Sequence, residues 1–389
     1  MSRVVVAMSG GVDSSVAAGI LKEQGHEVIG ISLQLHDFAN KTPKTSENKF
    51  GTCCSLEDLN DARTVARKLG IPFYLSNMEA EFKKGVIDNF VEEYMNGRTP
   101  NPCVRCNEKV KFHTLMDWAM DLGADYLATG HYAQISPVGE EFALRKGADF
   151  EKDQSYFLFT IKSKDLAKTL FPVGNLNKPQ VRAIAERLGL ANAFKADSQD
   201  VCFVQSKSYS EFVENAAPKE LLKRGNVIDL HGKVLGQHQG LHKFTVGQRK
   251  GLGVNSLEAL FVVKLDPETN DVIVGPETAL FTHTCVAEGF NWLTDSAGLN
   301  PKNLFGKIRY RAKEMPVALE TRPDGRWNVS FETAQRAITP GQALVLYEGD
   351  RVVGGGWIYS SGAVSQILPS GISVPHAGHP SAQASGALA

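Results

Sequence analysis

The sequence predicts an α/β protein with a parallel-sheet domain at the N-terminus and two small, mainly β domains after it. Three observations predict this fold class. Apolar strands and amphipathic helices alternate through roughly the first two hundred residues. Glycine-rich segments with short apolar alternations replace that pattern after about Phe212. The chain of 389 residues is also too long for one ordinary hydrophobic core.

The first strand–helix–strand unit is the clearest part of this pattern. Residues 4–8 are predicted to form a buried strand and residues 14–24 a helix, which Gly25 ends before a second strand over 28–33. The connection has the length expected of parallel strands joined by a right-handed crossover. Open α/β sheets bind ligands at the carboxyl edge of such strands, so a ligand is expected just after residue 8.

Further helices and strands follow in the same alternating order. A polar stretch over 36–51 is expected to be a mobile loop, and Ser55 is expected to cap a helix that Gly70 ends. The remaining elements are a helix over 110–122, a short strand over 125–129 and a helix over 178–190. Together these elements predict one domain over residues 1–212.

Turn signals indicate that the second half of the chain is antiparallel. Pro323-Asp324-Gly325 separates two apolar alternations, and Glu348-Gly349-Asp350 separates two more. We expect a central Gly-rich β domain over 213–283 and a C-terminal, barrel-like β domain over 284–360. Residues 361–389 contain no Lys, Arg, Asp or Glu and are rich in Gly, Ala, Ser and Pro, which predicts a disordered tail.

Composition limits the classes of function. A formal net charge of −1 argues against a chain that coats nucleic acid through charge alone, although a local basic face is compatible with it. No run of 18 apolar residues occurs and no signal peptide precedes the first strand, so we expect a cytoplasmic protein without a membrane span. Six cysteines are too few for a disulfide scaffold in a chain of this length.

The turn after the first strand is the most informative motif. Residues 9–14 are Ser-Gly-Gly-Val-Asp-Ser, so a buried strand breaks into a Gly-rich turn and opens a helix. Glycines let backbone N–H groups approach an anion, and the helix N-terminus adds about half a positive charge. The lysine of a Walker loop is missing, which favours a triphosphate held without the apparatus of kinases or GTPases. The alternative is a Gly-rich turn without a ligand.

Two thiols three residues apart form a second candidate site. Cys103 and Cys106 follow the segment 99–102, whose two prolines predict a stiff loop ahead of a helix that begins near Val110. The positive end of that helix and nearby cations favour the reactive thiolate form. These cations are Arg105, Lys109 and Lys111. A further thiol, Cys202, lies in a polar loop before an apolar stretch.

Three explanations compete for these cysteines. They are a nucleophile and partner thiol that cycle through a persulfide and a disulfide, inert buried cysteines, and a metal or iron–sulfur site. A structural zinc site needs four ligands, and Cys53 or Cys54 would complete the set. Inert burial is the usual explanation for Cys285.

Several motifs occur in one order along the chain. They are 9–14, Asn101-Pro102 ahead of Cys106-Asn107, 128–132, 152–156, Asp197-Ser198 ahead of Cys202-Phe203, 244–253 and Pro340-Gly341-Gln342. These motifs and their order resemble those of the tRNA-specific 2-thiouridylase family, within the ATP-pyrophosphatase or PP-loop superfamily. The resemblance covers about residues 3–358 and implies an adenine-nucleotide α-hydrolase-like N-terminal catalytic domain. It also implies ATP-dependent 2-thiolation of the wobble uridine of tRNA.

The resemblance implies a nucleotide site and a first chemical step. Uracil O2 is adenylated with release of pyrophosphate, since a carbonyl oxygen is a poor leaving group. ATP and Mg²⁺ are the implied cofactors, with Asp13 near the magnesium. The implied ATP-binding residues are Ala7, Met8, Ser9, Gly10, Gly11, Val12, Asp13, Ser14, Leu33 and Gly130.

The resemblance also implies roles for the thiols. Cys202 carries a persulfide that attacks the activated C2, or releases sulfide that does so, and Cys106 resolves it to leave a Cys106–Cys202 disulfide. Cys103 stands where relatives often have an aspartate credited with handling protons or touching the target base. Either Cys103 shares the redox chemistry or that task lies elsewhere. We favour Cys106 as the partner of Cys202 because Asn107 follows it in the family's register.

A wobble base must be flipped out and held in a pocket between phosphate contacts. The residues that the resemblance implies for tRNA contact are Asn101, Pro102, Cys103, His131, Lys152, Asp153, Gln154, Arg309, Tyr310 and Gln342. Residues 301–351 hold nine Lys and Arg against six Asp and Glu, and Tyr310 lies between two arginines, which suits stacking and phosphate contact. As alternatives to tRNA contact, His131 could be a packed histidine at the end of a strand and Asp153 could be a helix cap.

The implied partners are the tRNAs for Lys, Glu and Gln and a sulfur donor, either a cysteine desulfurase or a relay protein. We expect a monomer. Two other functions fit parts of the sequence. An ATP-pyrophosphatase amide or guanidine synthetase would use the loop but needs no thiol pair. A tRNA- or metal-binding module with a degenerate nucleotide site would need neither.

Overall fold

A computed structural model describes residues 1–35, 56–197, 201–204, 208–295, 299–300 and 303–362. Within these residues the helices are α1 (Val12–Glu23), α2 (Leu56–Leu69), α3 (Glu79–Phe82), α4 (Asp88–Met95), α5 (Pro102–Cys106), α6 (Met116–Asp121), α7 (Ser163–Leu166), α8 (Lys178–Arg187) and α9 (Tyr209–Ala216). The strands are β1 (Arg3–Ala7), β2 (Glu27–Gln34), β3 (Phe73–Asn77), β4 (Tyr126–Thr129), β5 (Ala133–Val138), β6 (Glu141–Lys146), β7 (Thr169–Leu170), β8 (Gly225–Ile228), β9 (Val234–His238), β10 (Phe261–Asp266), β11 (Asp271–Gly275), β12 (Phe281–Trp292), β13 (Leu304–Lys307), β14 (Met315–Thr321), β15 (Trp327–Arg336), β16 (Ala343–Glu348) and β17 (Arg351–Ser361).

The N-terminal part is built on a parallel sheet of order β3-β2-β1-β4-β7, as predicted. Strand β1 lies between β2 and β4, and its last residue, Ala7, pairs with Ile31 on one side and Thr129 on the other. Val4, Val5 and Val6 are completely buried because helices cover both faces of this central strand. The carboxyl ends of β1, β2 and β4 therefore meet at one edge, where the Gly-rich turn begins.

The helix that carries the paired thiols begins earlier than predicted. Instead of a loop followed by a helix near Val110, a helical stretch starts at Pro102 and continues as α5, a π-helical segment over Asn107–Leu115 and α6. Asn101 is the N-cap, and its side-chain oxygen accepts a hydrogen bond from the Val104 N–H. Proline is favoured at the first helical position because its missing N–H would have no partner there. Both Cys103 and Cys106 thus lie on a helix, and the prediction of a loop was wrong.

The C-terminal part is antiparallel, as the turn signals predicted. Strands β12, β15, β14, β13, β16 and β17 follow one another, and pairing of β12 with β17 closes them into a barrel. The predicted hairpins over the 323–325 and 348–350 turns are β14–β15 and β16–β17. A hairpin of the N-terminal part, β5–β6, joins this sheet through the pairing of Arg351 with Arg145. The two parts consequently share a hydrogen-bonded edge.

The central part is a smaller sheet of order β10-β11-β8-β9. Its core is formed by a separate cluster of buried side chains that includes Val227, Phe244 and Val262. The expected boundary between residues 212 and 213 falls inside α9, and the last strand ends at Ser361.

Several sequence-based predictions concern residues that the structure does not describe. Ser55 as a helix cap, the loop over 36–51, Cys53 and Cys54 as metal ligands, and the tail beyond residue 362 lie outside the described residues. In the part of the chain that is described, no helix is long and apolar enough to cross a membrane.

Candidate active site

The Gly-rich turn after β1 leaves N–H groups open at the start of α1. Gly11 is the N-cap of α1 and has no side chain to accept hydrogen bonds from the first turn. Ser9 N–H donates to Ser14 Oγ over 3.1 Å, which folds the turn back on the helix. Gly10 has a φ of +77°, and a Cβ there would lie 2.2 Å from the Asp58 carbonyl oxygen. The turn therefore has the form of an anion cradle.

Neighbouring strands bring two other predicted nucleotide residues to this edge. Gly130 directly follows β4, and a Cβ on it would lie 2.4 Å from the Ser14 backbone nitrogen. Leu33 lies on β2, two residues beyond the residue that pairs with Ala7, and is 8% exposed. The Asn192 amide donates hydrogen bonds of 2.9 Å to the Gly10 carbonyl and to Ser15 Oγ, which fixes the turn from the other side.

Asp13 is paired with a lysine that the sequence analysis did not identify. Lys178, the first residue of α8, places its Nζ 2.8 and 2.9 Å from the two carboxylate oxygens of Asp13. The Tyr132 hydroxyl donates to Asp13 Oδ1 over 2.7 Å. Burial, together with the Asp13 charge, raises the pKa of Tyr132, so its hydroxyl remains a donor. The position of Lys178 at the start of a predicted helix was a sequence signal for this role, because a helix that follows a parallel strand begins at the ligand-binding edge of the sheet.

The same lysine reaches the segment that leads to Cys202. Asp197 Oδ1 lies 2.6 Å from Lys178 Nζ, and Asp197 Oδ2 accepts a hydrogen bond from Lys152 over 2.9 Å. Arg182 adds a longer contact of 3.7 Å. Burial would raise the pKa of Asp197, but the hydrogen bonds from Lys152 and Lys178 outweigh it, and the pKa is lowered. Asp197 is therefore ionised at neutral pH.

The thiols of Cys106 and Cys202 pack against the same hydrophobic core. Both are half-buried, whereas Cys103 is exposed. The core residue Phe203 anchors the Cys202 segment, with its ring centroid 5.0 Å from that of Phe90. Leu33 of the nucleotide edge belongs to the same core, whereas Met8 and Val12, on either side of the Gly-rich turn, belong to a second core.

Two of the cations expected to favour thiolate are already paired. Arg105 forms an ion pair of 3.0 Å with Glu108, and Lys109 forms one of 2.8 Å with the same carboxylate. The Arg105 guanidinium also lies 3.9 Å from the centroid of the Trp357 ring. Arg105 thus contacts the C-terminal barrel from α5, the helix that carries Cys103 and Cys106 and is called the thiol helix below.

Gln342 holds the segment that precedes the thiol helix. Its Nε2 donates to the carbonyl oxygens of Thr99 and Pro100 over 2.9 and 3.1 Å. The Thr99 N–H donates in turn to the Pro340 carbonyl over 2.8 Å. A Cβ on the neighbouring Gly341, whose φ is +90°, would lie 2.8 Å from the Thr99 oxygen. The barrel therefore positions the stretch that leads into Asn101 and Pro102.

His131 lies in an apolar site rather than on a basic face. Its Nδ1 is 2.6 Å from Thr129 Oγ1, and its ring packs with Phe112 and Phe171. Burial, with the charge of Lys111 as a smaller cause, holds the pKa of His131 well below its usual range. The ring is therefore neutral at pH 7 and is not a cationic contact for phosphate.

The three consecutive residues predicted to contact tRNA differ in their surroundings. Asp153 is 6% exposed; its Oδ1 accepts hydrogen bonds from the N–H groups of Gly147 and Ser155, and its Oδ2 from the Ser155 hydroxyl. The Gln154 side-chain oxygen accepts from the Tyr132 N–H over 3.0 Å. The Lys152 side chain is 39% exposed. Asp153 and Gln154 thus shape the loop that presents Lys152.

The C-terminal residues predicted to contact tRNA lie close to this loop. The Tyr310 ring packs on Phe157, with centroids 4.5 Å apart, and lies 5.8 Å from Lys307 Nζ. Arg309 donates through Nη2 to the Arg336 carbonyl over 2.7 Å and is half-buried. The structure therefore brings Tyr310 to the residues that follow Lys152.

Metal binding by the cysteines finds no support in the described residues. Within them, no group of three or more His, Cys, Asp and Glu side chains is placed to hold a metal ion. Cys285 lies in the core of the barrel, where burial raises the pKa of its thiol to about 12. It therefore has the properties of the inert buried cysteine that the sequence suggested.

The Gly-rich turn and the open N–H groups at the edge of a parallel sheet define an α/β protein built to bind phosphate groups. Family models match three consecutive segments. Residues 2–206 match the tRNA methyl transferase HUP domain, 210–276 its PRC-barrel domain, and 282–358 the aminomethyltransferase beta-barrel domain.

Curated relatives identify the family. The chain is 51% identical over 360 residues to the tRNA-specific 2-thiouridylase MnmA of Geotalea uraniireducens, covering 92% of this chain and 94% of that one. It is 50% identical over 357 residues to the protein of the same name from Geobacter metallireducens, covering 92% and 96%. The chain belongs to the tRNA-specific 2-thiouridylase family.

Solved structures are similar only at a distance. The NMN synthetase of Francisella tularensis aligns with a TM-score of 0.32 at 17% identity, over 55% of this chain and 76% of that one. A 4-thiouridine synthetase in complex with RNA and ATP aligns with a TM-score of 0.33 at 17% identity, over 56% and 51%.

Proposed function

We propose that this chain catalyses the ATP-dependent 2-thiolation of the wobble uridine of tRNA. Membership of the 2-thiouridylase family supports this function. The observation that carries it is that the chain combines a phosphate cradle at 9–14 with two thiols, those of Cys106 and Cys202, which pack against the same core as Leu33 of strand β2. A synthetase that forms an amide or guanidine group needs the first feature alone.

The first step uses the edge of the parallel sheet. We propose that residues 7–14 hold the phosphates of ATP, with Leu33 and Gly130 on the two sides of the adenosine. Uracil O2 bonds to the α-phosphorus while the bond to the bridging oxygen breaks and its electron pair leaves with pyrophosphate. The poor leaving group at C2 thereby becomes AMP, a good one.

Magnesium belongs to the same proposal. Asp13 is a hard oxygen donor, and Mg²⁺ in nucleotide sites usually takes one or two carboxylates together with phosphate oxygens. Both carboxylate oxygens of Asp13 lie within 2.9 Å of Lys178 Nζ, so a metal ligand role requires the ammonium to withdraw from at least one. The ion would neutralise phosphate charge when bound there.

The second step uses the thiols. The outer sulfur of a Cys202 persulfide attacks C2, and AMP leaves with the former O2. The Cys106 thiolate then attacks the inner sulfur, forms a disulfide with Cys202 and leaves the outer sulfur on C2. An external thiol reductant restores both cysteines. The pairing of Cys106 with Cys202 follows the family resemblance; both thiols are half-buried against the hydrophobic core, and the exposed Cys103 is the candidate for a second redox role.

The domains divide the work in this proposal. Residues 1–212 bind ATP and carry the thiols, while 213–283 and 284–360 support and contact tRNA. Lys152, Tyr310 and the segment of Asn101, Pro102 and Cys103 would contact the substrate. A cysteine desulfurase or a relay protein would supply the sulfur, the substrates would be the tRNAs for Lys, Glu and Gln, and the protein would act as a cytoplasmic monomer.

The test is a reconstituted thiolation reaction. The protein is incubated with unmodified tRNA, ATP, Mg²⁺, cysteine, a cysteine desulfurase and a reductant. Mass spectrometry of the digested nucleosides measures 2-thiouridine, and AMP and pyrophosphate are quantified in the same samples. We expect all three products from the wild-type protein, and no 2-thiouridine from Cys106→Ser or Cys202→Ser. Cys285→Ala is the matched control, because its thiol is buried in the barrel core.

Different failures identify different alternatives. Full thiolation by both serine variants would contradict the thiol mechanism. Formation of AMP and pyrophosphate without any thiolated uridine would favour a synthetase. Absence of all three products from folded wild-type protein would favour a tRNA-binding module.

A further inference from the structure

A lysine from a distant helix occupies the place next to the phosphate cradle. The cradle at 9–14 has no basic residue of its own, and a triphosphate brings several negative charges beside the Asp13 carboxylate. Among the described residues, the ion pair with Lys178 is the contact that offsets the Asp13 charge. Lys178 is therefore the group that a phosphate entering this edge would meet.

Lys178 is held firmly at this place. Asn177 and Gln180 form a capping box around the start of α8, so the helix has a fixed beginning. The Lys178 N–H donates to Asp149 Oδ2 over 2.9 Å, and the residue is 8% exposed. Because the backbone is fixed, the ammonium can move only by rotation of its own side chain.

The contacts of the ammonium use all of its donors. Its three N–H groups face Asp13 Oδ1, Asp13 Oδ2 and Asp197 Oδ1 at 2.8, 2.9 and 2.6 Å. The Lys178 side chain is 10% exposed, so its loss of hydration offsets part of the gain from pairing with Asp13 and Asp197. Transfer of one donor from Asp13 to a phosphate oxygen keeps the ammonium fully bonded and places positive charge on the phosphates.

We propose that Lys178 supplies the phosphate-binding cation that the cradle lacks, contacting ATP in the ground state and the departing pyrophosphate during adenylation. The proposal rests on the proposed use of ATP. As the bond from the α-phosphorus to the bridging oxygen breaks, the electron pair and its charge pass to pyrophosphate. A fixed ammonium beside that charge stabilises the transition state.

The experiment separates phosphate binding from folding by comparing two ligands. Equilibrium binding of ATP and of adenosine is measured for the wild-type protein, Lys178→Gln, Lys178→Arg and the control Lys146→Gln. Lys146 is a partly buried lysine that pairs with Glu314 over 2.7 Å in another part of the molecule. Lys178→Gln should lower the affinity for ATP by about tenfold to a hundredfold, the usual weight of a charge-assisted hydrogen bond, and leave adenosine affinity unchanged.

The chemical step gives a second readout. Pyrophosphate formation in a single turnover with tRNA should fall by about a hundredfold or more in Lys178→Gln, with partial recovery in Lys178→Arg. Two results for Lys178→Gln would overturn the proposal. One is an equal loss of affinity for ATP and for adenosine, and the other is wild-type affinity for both ligands in a variant that unfolds at the wild-type temperature. If the glutamine variant fails to fold, the arginine variant decides: pyrophosphate formation below the wild-type rate with unchanged adenosine affinity supports the proposal, and a wild-type rate overturns it.

The failure of the proposed function is distinguishable. Wild-type protein that binds neither ATP nor adenosine would overturn the use of ATP itself, and the Lys178 role with it. Wild-type protein that binds ATP more tightly than adenosine, with no dependence on Lys178, would leave the use of ATP intact and overturn the role of Lys178 alone.

Discussion

Replacement of Gly130 by alanine tests whether the phosphate cradle must pack against β4. A Cβ at this position would lie 2.4 Å from the Ser14 nitrogen and 2.6 Å from the Asp13 carbonyl carbon. Ordinary carbon contacts are about 3.5–4.0 Å, so the start of α1 must retreat by about 1 Å. Overpacking of this kind costs about 1–3 kcal/mol of unfolding free energy. A shift of about 1 Å in a group that positions the substrate lowers the rate by about a hundredfold.

The assay is the single-turnover formation of AMP with ATP and tRNA, measured beside thermal unfolding. Gly139→Ala is the matched control. Gly139 has a φ of +62° and no atom within 4 Å of its Cβ position, so alanine there costs about 1–2 kcal/mol through backbone strain and leaves the cradle in place. We expect a large loss of AMP formation in Gly130→Ala and near wild-type rates in Gly139→Ala. Wild-type rates in Gly130→Ala, or equal losses in both variants, would show that AMP formation does not depend on close packing of the cradle against β4.

Three further predictions concern the barrel contacts and pH. Trp357→Ala removes the ring beneath Arg105, whose cation–π contact contributes about 0.5–2 kcal/mol to the free energy of unfolding, and the loss of ring packing on Phe159 adds to this. The variant should speed alkylation of Cys106, and unchanged alkylation would argue against this anchor. Gln342→Ala removes two hydrogen bonds to the carbonyls of Thr99 and Pro100, so the rate of thiolation should fall while the equilibrium affinity for ATP is unchanged. Equal losses of thiolation rate and ATP affinity would contradict this. Because burial, with Lys111 as a lesser cause, depresses the pKa of His131, the unfolded chain takes up its proton first as pH falls below about 6.5. The free energy of unfolding should therefore decrease by up to about 1.4 kcal/mol per pH unit as the pH falls below that value. In denaturation experiments at several pH values, His131→Asn should make the free energy of unfolding less dependent on pH. An unaltered dependence would count against a depressed pKa.

The fold could be predicted in outline because its signals are local. Strand β1 is a continuous apolar run, α1 begins at a Gly-rich turn, and both C-terminal hairpins have turn residues at their tips. The start of the thiol helix was mistaken because Pro100 and Pro102 together suggest a loop. Asn101 followed by Pro102 is also a helix-start pattern, and the observed cap follows that pattern.

The candidate site could be predicted only in part, because its key contacts are distant in sequence. Lys178 and Asp13 are 165 residues apart, and no spacing rule connects them. Gln342 holds Thr99 across 243 residues. The buried state of Asp153 depends on the N–H groups of a turn that neither charge nor pattern identifies. Packing between elements decides these contacts, and a single sequence records the residues without the packing.

The fate of the oxygen atom that sulfur replaces shows whether uracil O2 is adenylated. tRNA carrying ¹⁸O at C2 of the wobble uridine is thiolated in a single turnover with unlabelled ATP and water, and the AMP is analysed by mass spectrometry. If the phosphate cradle at residues 9–14 serves to activate this oxygen, AMP carries one ¹⁸O for each 2-thiouridine formed. Thiolated tRNA with unlabelled AMP and ¹⁸O in the water would contradict adenylation of uracil O2.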